Sequence, residues 1–227
     1  MPVLRLDHVG KIYKNSRRDA SGTLDVDLTI RQGEFVFITG ERGCGKSELI
    51  ELIAGEQDPD RGSVWLGGAE LRRFSKRACE ELRKCMGVVL SDSELKRTET
   101  VFKNLASERY LEYLRDSIFN RPKIEKALSL VGLSGKGDRY ASELTASEGC
   151  RALLARAIWR SPSILLLDGL LERADDDTVW DMLLLLTALN ERGTTVILTT
   201  DGSYGDMLRK RVITLSEGKV ASDIHRR

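Results

Sequence analysis

The segment from Gly40 to Ser47 reads GERGCGKS and fits the pattern GxxxxGK[ST]. It follows the apolar run EFVFITG and precedes the helical pattern SELIELIAG, which is the context that this pattern requires. Its glycines let backbone N–H groups face phosphate oxygens, and the start of a helix adds partial positive charge. The residues that we predict to bind a nucleotide here are Gly40, Gly43, Cys44, Gly45, Lys46, Ser47 and Glu48.

Two residues of this loop and one distant aspartate have separate predicted roles. The Lys46 ammonium would reach the β- and γ-phosphates, and the Ser47 hydroxyl would bind Mg²⁺. Asp168 closes the apolar run ILLLD, where its carboxylate suits the same Mg²⁺, although alone it would also fit a helix N-cap. We interpret Cys44 as a small side chain in a tight turn, with regulatory oxidation as the less favoured alternative.

The elements that must position these residues alternate along the chain. Strand patterns such as VLRLDHV, LDVDLTI and EFVFITG come first, and residues 98–140 predict a helical insertion. A helix from about residue 147, the strand ILLLD, a further helix and the strand TVILTT follow. This order favours an α/β fold with a mainly parallel sheet covered on both faces. We expect one domain over residues 1–227.

Composition excludes several classes of partner. The 36 Lys and Arg residues nearly balance the 35 Asp and Glu residues, so no net field would attract nucleic acid. The apolar runs are far shorter than the roughly 18 residues that span a bilayer, and the N-terminus lacks the apolar segment of a signal peptide. The four cysteines form no CxxC pair. We therefore expect a cytosolic protein with reduced thiols and no nucleic-acid partner.

The segment ELTASEGCRALLARAIWRSPSILLLD resembles ABC-type ATPases. In that family a signature of the form LSGG(Q/E) opens a helix, continues into an ARA segment and leads to the Walker B strand. Here LTASE from Leu144 to Glu148 and ARA from Ala155 to Ala157 occupy those places. Phrases such as GEFVFITG and KRVITLSEGKV are similar to the FtsE family of cell-division ATP-binding proteins, and lipoprotein-release and macrolide-export ATPases resemble them nearly as well.

The resemblance implies a P-loop NTPase fold, namely an ABC nucleotide-binding domain with a mainly parallel core sheet, an antiparallel β subdomain and a helical subdomain. It implies ATP and Mg²⁺ as cofactors. It also implies a homodimer, or a heterodimer with another ABC subunit, that closes around ATP. An integral membrane protein similar to the FtsX permease would bind the helical insertion, which implies a place at the inner face of the cell membrane.

Several residues correspond to family positions one by one. Tyr13 matches the aromatic residue that stacks on adenine, with an ordinary strand tyrosine as the alternative. Asp168 matches the Walker B aspartate. Asp175 matches the aspartate of a loop that crosses the dimer interface, and it fits the N-cap of the next helix equally well. The signature that would contact the partner subunit's ATP consists of Thr145, Ala146, Ser147 and Glu148.

Four departures from the family pattern concern water activation and γ-phosphate contact. Gly169 replaces the glutamate that polarises the attacking water, and Ser91 replaces a glutamine that reaches Mg²⁺ and that water. Asp201 replaces a histidine that touches the γ-phosphate, which its charge would repel. Ala146 and Ser147 replace the two signature glycines. Ser147 could substitute as a donor, but a preserved helix start without a working signature is the favoured interpretation.

The remaining signature residues and one nearby carboxylate complete the prediction. Thr145 and Glu148 form a capping-box pattern that can start a helix. Glu172 would not reach the position of Gly169 without a different turn. Loss of a water-activating group costs about 10²–10⁴ in rate.

The groups that would hold ATP and Mg²⁺ are retained, whereas those that would activate water are not. Our hypothesis is therefore the ATP-binding subunit of an FtsEX-like complex with weak or absent hydrolysis. The alternatives are a non-catalytic scaffold and the degenerate half of a heterodimeric transporter of the lipoprotein-release or export type.

Overall fold

The computed structural model describes residues 2–11, 25–75, 77–79, 82, 85–106 and 110–225. Tyr13 lies outside these residues, so adenine stacking stays a prediction. The strands are β1 (Pro2–Gly10), β2 (Val26–Arg31), β3 (Phe35–Gly40), β4 (Arg61–Leu66), β5 (Ala69–Glu70), β6 (Met86–Val89), β7 (Ile164–Leu167), β8 (Thr195–Thr199), β9 (Arg211–Ser216) and β10 (Lys219–Ile224). The α-helices are α1 (Lys46–Ala54), α2 (Val101–Ala106), α3 (Tyr110–Leu130), α4 (Ala146–Ile158), α5 (Asp176–Glu191) and α6 (Tyr204–Met207).

The core sheet has the spatial order β10-β9-β3-β8-β7-β6. All neighbouring strands from β9 to β6 pair in parallel, and only β10 is antiparallel to its neighbour. Every residue of β7 and β8 is buried, as expected for strands covered on both faces. The predicted mainly parallel core sheet is therefore confirmed.

Alternation along the core strands divides the apolar side chains between two faces. In β3, Phe35 and Phe37 lie in the hydrophobic cluster that includes α4 and α5. Val36 and Ile38 lie in the other cluster, with α1 and the second sheet. Successive side chains of a strand point to opposite faces, so one short apolar run holds helices on both sides.

The second sheet has the order β2-β1-β4-β5 and is antiparallel throughout. Its strand β2 alternates strictly, because Val26, Leu28 and Ile30 are buried and the residues between them are exposed. One face of this sheet therefore packs on the core and the other faces solvent. The predicted antiparallel β subdomain is confirmed.

The helices α2 and α3 form the helical subdomain, which is also confirmed. Two backbone hydrogen bonds close its base, from Val101 N to Arg139 O at 2.8 Å and from Ala141 N to Glu99 O at 2.9 Å. Its buried residues Leu105 and Ile124 belong to the same cluster as α4. Among the described residues, none of the helices has the length and apolar character needed to span a membrane.

Arg211 ties the edge of the core sheet to the second sheet. Its guanidinium binds both carboxylate oxygens of Asp223, with Nε to Oδ1 at 2.8 Å and Nη2 to Oδ2 at 2.7 Å. Nη1 donates to the Thr29 carbonyl in β2 at 3.0 Å and to Glu34 Oε2 at 2.5 Å. The side chain is buried, so each of these bonds replaces lost hydration.

We expect Arg211→Ala to lower the free energy of unfolding by about 2–3 kcal/mol, less than for a fully buried pair because its carboxylate partners are partly exposed. Urea unfolding followed by circular dichroism measures this change. Lys219→Ala, an exposed position on β10, serves as the control and should change little. Equal stabilities of the two variants would contradict a linking role for Arg211.

Candidate nucleotide-binding site

The loop between β3 and α1, which we call the phosphate loop, has the backbone that the glycine pattern of residues 40–47 predicts. Gly40 has φ +146, and a Cβ there would lie 2.3 Å from Leu215 O and 2.6 Å from Cys44 Sγ. Only glycine fits this close approach. Cys44 is itself buried in the cluster below the loop, which favours its interpretation as a packed small side chain. Gly45, with φ +104, is the residue at which the chain turns into α1.

Lys46 is the first residue of α1, and its side chain bends back over the loop. Its Nζ donates to Gly40 O at 2.6 Å and to Glu41 O at 3.2 Å. The same Nζ lies 2.9 Å from Asp201 Oδ1, and the Lys46 side chain is only 13% exposed. The structure thus brings together a predicted phosphate ligand and the residue at the predicted γ-phosphate sensor position.

Asp168 follows β7 and is 2% exposed. Its Oδ1 accepts a hydrogen bond from Thr199 Oγ1 at 2.6 Å, whereas its buried Oδ2 has no hydrogen-bond partner among the described residues. A buried carboxylate oxygen without a partner is costly, and a bound cation is one way to satisfy it. The site therefore fits a divalent metal ion.

A second observation places further negative charge beside Asp168. Burial raises the pKa of Glu51 on α1, and the neighbouring charges of Glu48, Asp92 and Asp168 raise it further. Ser47 and Glu48 are half-buried in the first turn of the same helix. Carboxylate and hydroxyl oxygens are ligands that Mg²⁺ prefers. Ser47 and Asp168 are the residues that would hold it.

Gly169 and Ser91 lie close together in the structure. Gly169 has φ +60, and a Cβ there would meet only Ser91 Cβ, at 4.0 Å. Space for a side chain exists, but a glutamate would need the left-handed backbone that L residues rarely adopt. The Gly169 N–H donates to Thr199 Oγ1 at 2.9 Å. Position 169 therefore supplies no carboxylate, and its backbone is fixed by β8.

Thr199 is a residue that the sequence interpretation missed. Its hydroxyl donates to Asp168 and accepts from Gly169, so it fixes both Walker B positions from the adjacent strand. The only signal in the sequence was a hydroxyl at the end of the buried run TVILTT. Because the contact spans 31 residues, no local pattern reveals it.

Glu172 lies in the 3₁₀ turn Leu171–Arg173, just after Gly169. Its Oε1 accepts a hydrogen bond from Asp201 N at 3.0 Å. This carboxylate therefore holds the segment that follows β8. That contact agrees with the expectation that Glu172 does not take the place of the missing glutamate.

The signature residues start α4 at Ala146, close to the expected position of about 147. Thr145 and Glu148 form the predicted capping box, in which Glu148 N donates to Thr145 Oγ1 at 3.2 Å and Thr145 N donates to Glu148 Oε2 at 3.1 Å. Lys136 also forms an ion pair with Glu148 and holds the pKa of that carboxyl below its usual value. Ala146 presents only a methyl group to its surroundings.

Ser147 is linked to Asp175 within the chain. Its hydroxyl donates to Asp175 Oδ2, and Asp175 N lies 3.3 Å from Ser147 Oγ. Asp175 also caps α5, because Oδ1 accepts from Thr178 N at 2.8 Å. The Ser147 hydroxyl and then the Thr178 N–H lower the pKa of Asp175 to about 2. The N-cap interpretation of Asp175 is confirmed, while its role at a dimer interface stays a prediction.

Comparison with known families decides the identity of this fold. The family described as ABC transporter matches residues 23–171, more than half of the chain. The chain belongs to the ABC transporter family. This ABC domain therefore shares the fold of that family.

Individual relatives agree with this assignment. The ABC domain is 36% identical over 225 residues to the cell division ATP-binding protein FtsE of Mycobacterium tuberculosis, covering 99% of this chain and 96% of that protein. It is 31% identical over 217 residues to FtsE of Escherichia coli, covering 95% and 96%. A solved dimeric bacterial ABC transporter cassette superposes with a TM-score of 0.88 at 25% identity, covering 99% of each chain. The predicted resemblance to FtsE proteins is confirmed.

We expect Thr199→Val to lower the free energy of unfolding by about 1–3 kcal/mol, because Asp168 and the Gly169 N–H both lose their partner. Thr199→Ser keeps the hydroxyl and should recover most of that loss. Urea unfolding curves of the two variants test this prediction. A Thr199→Val variant as stable as the wild type would show that the hydroxyl does not stabilise the strand.

Acid should destabilise the protein partly through Asp175. Its pKa in the folded chain, about 2, lies below the usual 3.8, so its contribution is present above about pH 4 and is lost as pH falls toward 2. Asp175→Asn keeps a capping oxygen but does not titrate. We expect the melting temperature of the wild type to fall more steeply between pH 5 and pH 3 than that of Asp175→Asn. Parallel curves would contradict the prediction.

Proposed function

We propose that this chain is the ATP-binding subunit of an FtsEX-like complex and that it binds ATP with Mg²⁺ but hydrolyses it weakly or not at all. The carrying observation is the buried Oδ2 of Asp168, which no group in the described part of the chain binds, followed by Gly169 instead of a carboxylate. Asp168 thus offers a carboxylate that could bind a metal ion, whereas position 169 offers no side chain that could activate water.

The binding half of the proposal rests on the residues of the phosphate loop. Gly40, Gly43 and Gly45 have positive φ, the kind of backbone from which anion-binding loops are built. Lys46 would neutralise phosphate charge, and Ser47 with Asp168 would hold Mg²⁺. Bound Mg²⁺ supplies charge neutralisation between the phosphates.

Three positions support weak hydrolysis. Gly169 has no side chain, and Ser91 is too short to replace a glutamine that reaches toward the metal. Removing a general base or water-positioning group typically lowers the rate by about 10²–10⁴. Asp201 adds a negative charge where the family has a histidine. The first two changes remove assistance to the attacking water, and the third replaces a γ-phosphate contact with a repelling charge.

The signature supports the same interpretation. Ala146 and Ser147 carry side chains where glycines would let a partner subunit's phosphate approach the backbone. The Ser147 hydroxyl is already bound by Asp175, so it would have to leave that charged acceptor in order to serve a nucleotide. A dimer, either of two copies or with another ABC subunit, would therefore close less tightly than one with a glycine signature.

The membrane role rests on the relatives, which are named cell division ATP-binding proteins. We propose that the chain acts as one ABC domain over residues 1–227, in the cytoplasm at the inner face of the membrane. An integral membrane protein similar to the FtsX permease would hold it there through the helical subdomain. The alternatives are the degenerate half of a heterodimeric transporter and a scaffold without nucleotide use.

Purified protein should bind fluorescently labelled ATP in the presence of Mg²⁺, and Lys46→Ala should abolish that binding. Phosphate release should be about 10²–10⁴ slower than for an ABC protein that retains the glutamate after its Walker B aspartate. Lys103→Ala, an exposed position on α2, is the matched control and should bind as the wild type does. Brisk Mg²⁺-dependent turnover would disprove weak hydrolysis.

Lys46→Ala also distinguishes the proposed function from the scaffold alternative in cells. A chain that works through nucleotide binding should fail to replace the wild type when it carries Lys46→Ala. Full function of that variant would favour the scaffold instead. Co-purification of a second, complete ABC subunit would favour the heterodimer.

A further inference from the structure

The ammonium of Lys46 is fully engaged by acceptors of its own chain. A lysine ammonium has three N–H donors. Its Nζ lies 2.6 Å from Gly40 O, 3.2 Å from Glu41 O and 2.9 Å from Asp201 Oδ1. The first two acceptors belong to the phosphate loop, whereas the third is an added negative charge. Asp201 therefore occupies the place on Lys46 that an external anion would take.

The segment that carries Asp201 is held by contacts on both sides. Thr200 is buried, and its N–H donates to Ile38 O of β3 at 3.0 Å. Asp201 N donates to Glu172 at 3.0 Å, and Gly202 N donates to Thr200 Oγ1 at 3.0 Å. Because β3 leads directly into the phosphate loop, these hydrogen bonds place the Asp201 carboxylate beside the Lys46 ammonium.

The charges at this point are unfavourable to a third phosphate. Asp201 and Glu172 bring two carboxylates to a place where Lys46 supplies a single cation. The lysine of a GxxxxGK[ST] loop contacts the β- and γ-phosphates. A β-phosphate can bind through the loop N–H groups while Asp201 stays on Lys46. A γ-phosphate competes with that carboxylate for the same ammonium and is repelled by it.

We propose that Asp201 is a specificity-determining residue that makes the site bind a nucleoside diphosphate more tightly than a triphosphate. Its carboxylate stands in for the γ-phosphate on Lys46. ATP then binds only when Asp201 separates from Lys46, so the segment after β8 moves for the triphosphate and stays in place for the diphosphate. The inference rests on the proposed function, because it presumes nucleotide binding at this loop.

The test compares the affinities of the full-length chain for ADP and for the β,γ-imido analogue of ATP, which is not hydrolysed. Both are titrated with Mg²⁺ present by displacement of a fluorescent nucleotide. We expect the wild type to bind ADP roughly tenfold more tightly or better. Asp201→Asn removes the charge at nearly constant size and should raise the affinity for the triphosphate. The ratio of ADP affinity to triphosphate affinity should therefore fall to about threefold or less.

Two further variants keep the test decisive. Asp201→Ser removes the same charge with a smaller side chain, so it replaces the asparagine variant if that one does not fold. Asp58→Asn makes the same change in net charge beyond the far end of α1, a helix of nine residues. This control should keep the wild-type ratio, which distinguishes a local effect of Asp201 from a general effect of charge.

The outcomes separate this inference from the proposed function. A wild type that binds ADP and the triphosphate equally well overturns the inference and leaves ATP binding intact. An unchanged ratio in Asp201→Asn and Asp201→Ser also overturns it. A wild type that binds neither nucleotide overturns the proposed function, and the inference with it. A diphosphate preference that is lost in both Asp201 variants but kept in Asp58→Asn supports it.

Discussion

The parallel pairing of β3, β7 and β8 is the constraint on which the candidate site depends. Parallel neighbours end at the same edge of the sheet, so the phosphate loop after β3, Asp168 after β7 and Asp201 after β8 converge there. The pairing itself follows from burial on both faces, since these strands are almost entirely apolar. The chemistry of the site is thus placed by the hydrophobic core.

At this edge of the sheet, the groups predicted to bind a nucleotide differ from those predicted to activate water. One set can therefore be lost without the other. Asp168 keeps its carboxylate buried beside Thr199, and a bound cation would satisfy the oxygen that has no hydrogen-bond partner among the described residues. Gly169 contributes only backbone, which β8 holds in a left-handed conformation.

The signature helix α4 also keeps the residues that start it, whereas its two glycine positions differ from the family pattern. Thr145 and Glu148 preserve the start of α4, because a capping box satisfies N–H groups at any helix start regardless of function. The link between Ser147 and Asp175 instead joins α4 to α5 inside one chain. The contacts of this segment therefore account for the start of α4 and its packing on α5.

The sequence by itself determined the phosphate loop, the strand before Asp168, the capping box and the fold class, because each depends on residues that are adjacent or repeat at a regular spacing. Through the family resemblance it also aligned Gly169, Ser91 and Asp201 with positions where the family has a glutamate, a glutamine and a histidine. Only the tertiary structure decided that Asp201 binds Lys46, that Thr199 holds Asp168 and that Arg211 joins the two sheets. These contacts link distant segments across paired strands, and sheet packing alone brings their side chains within hydrogen-bonding distance.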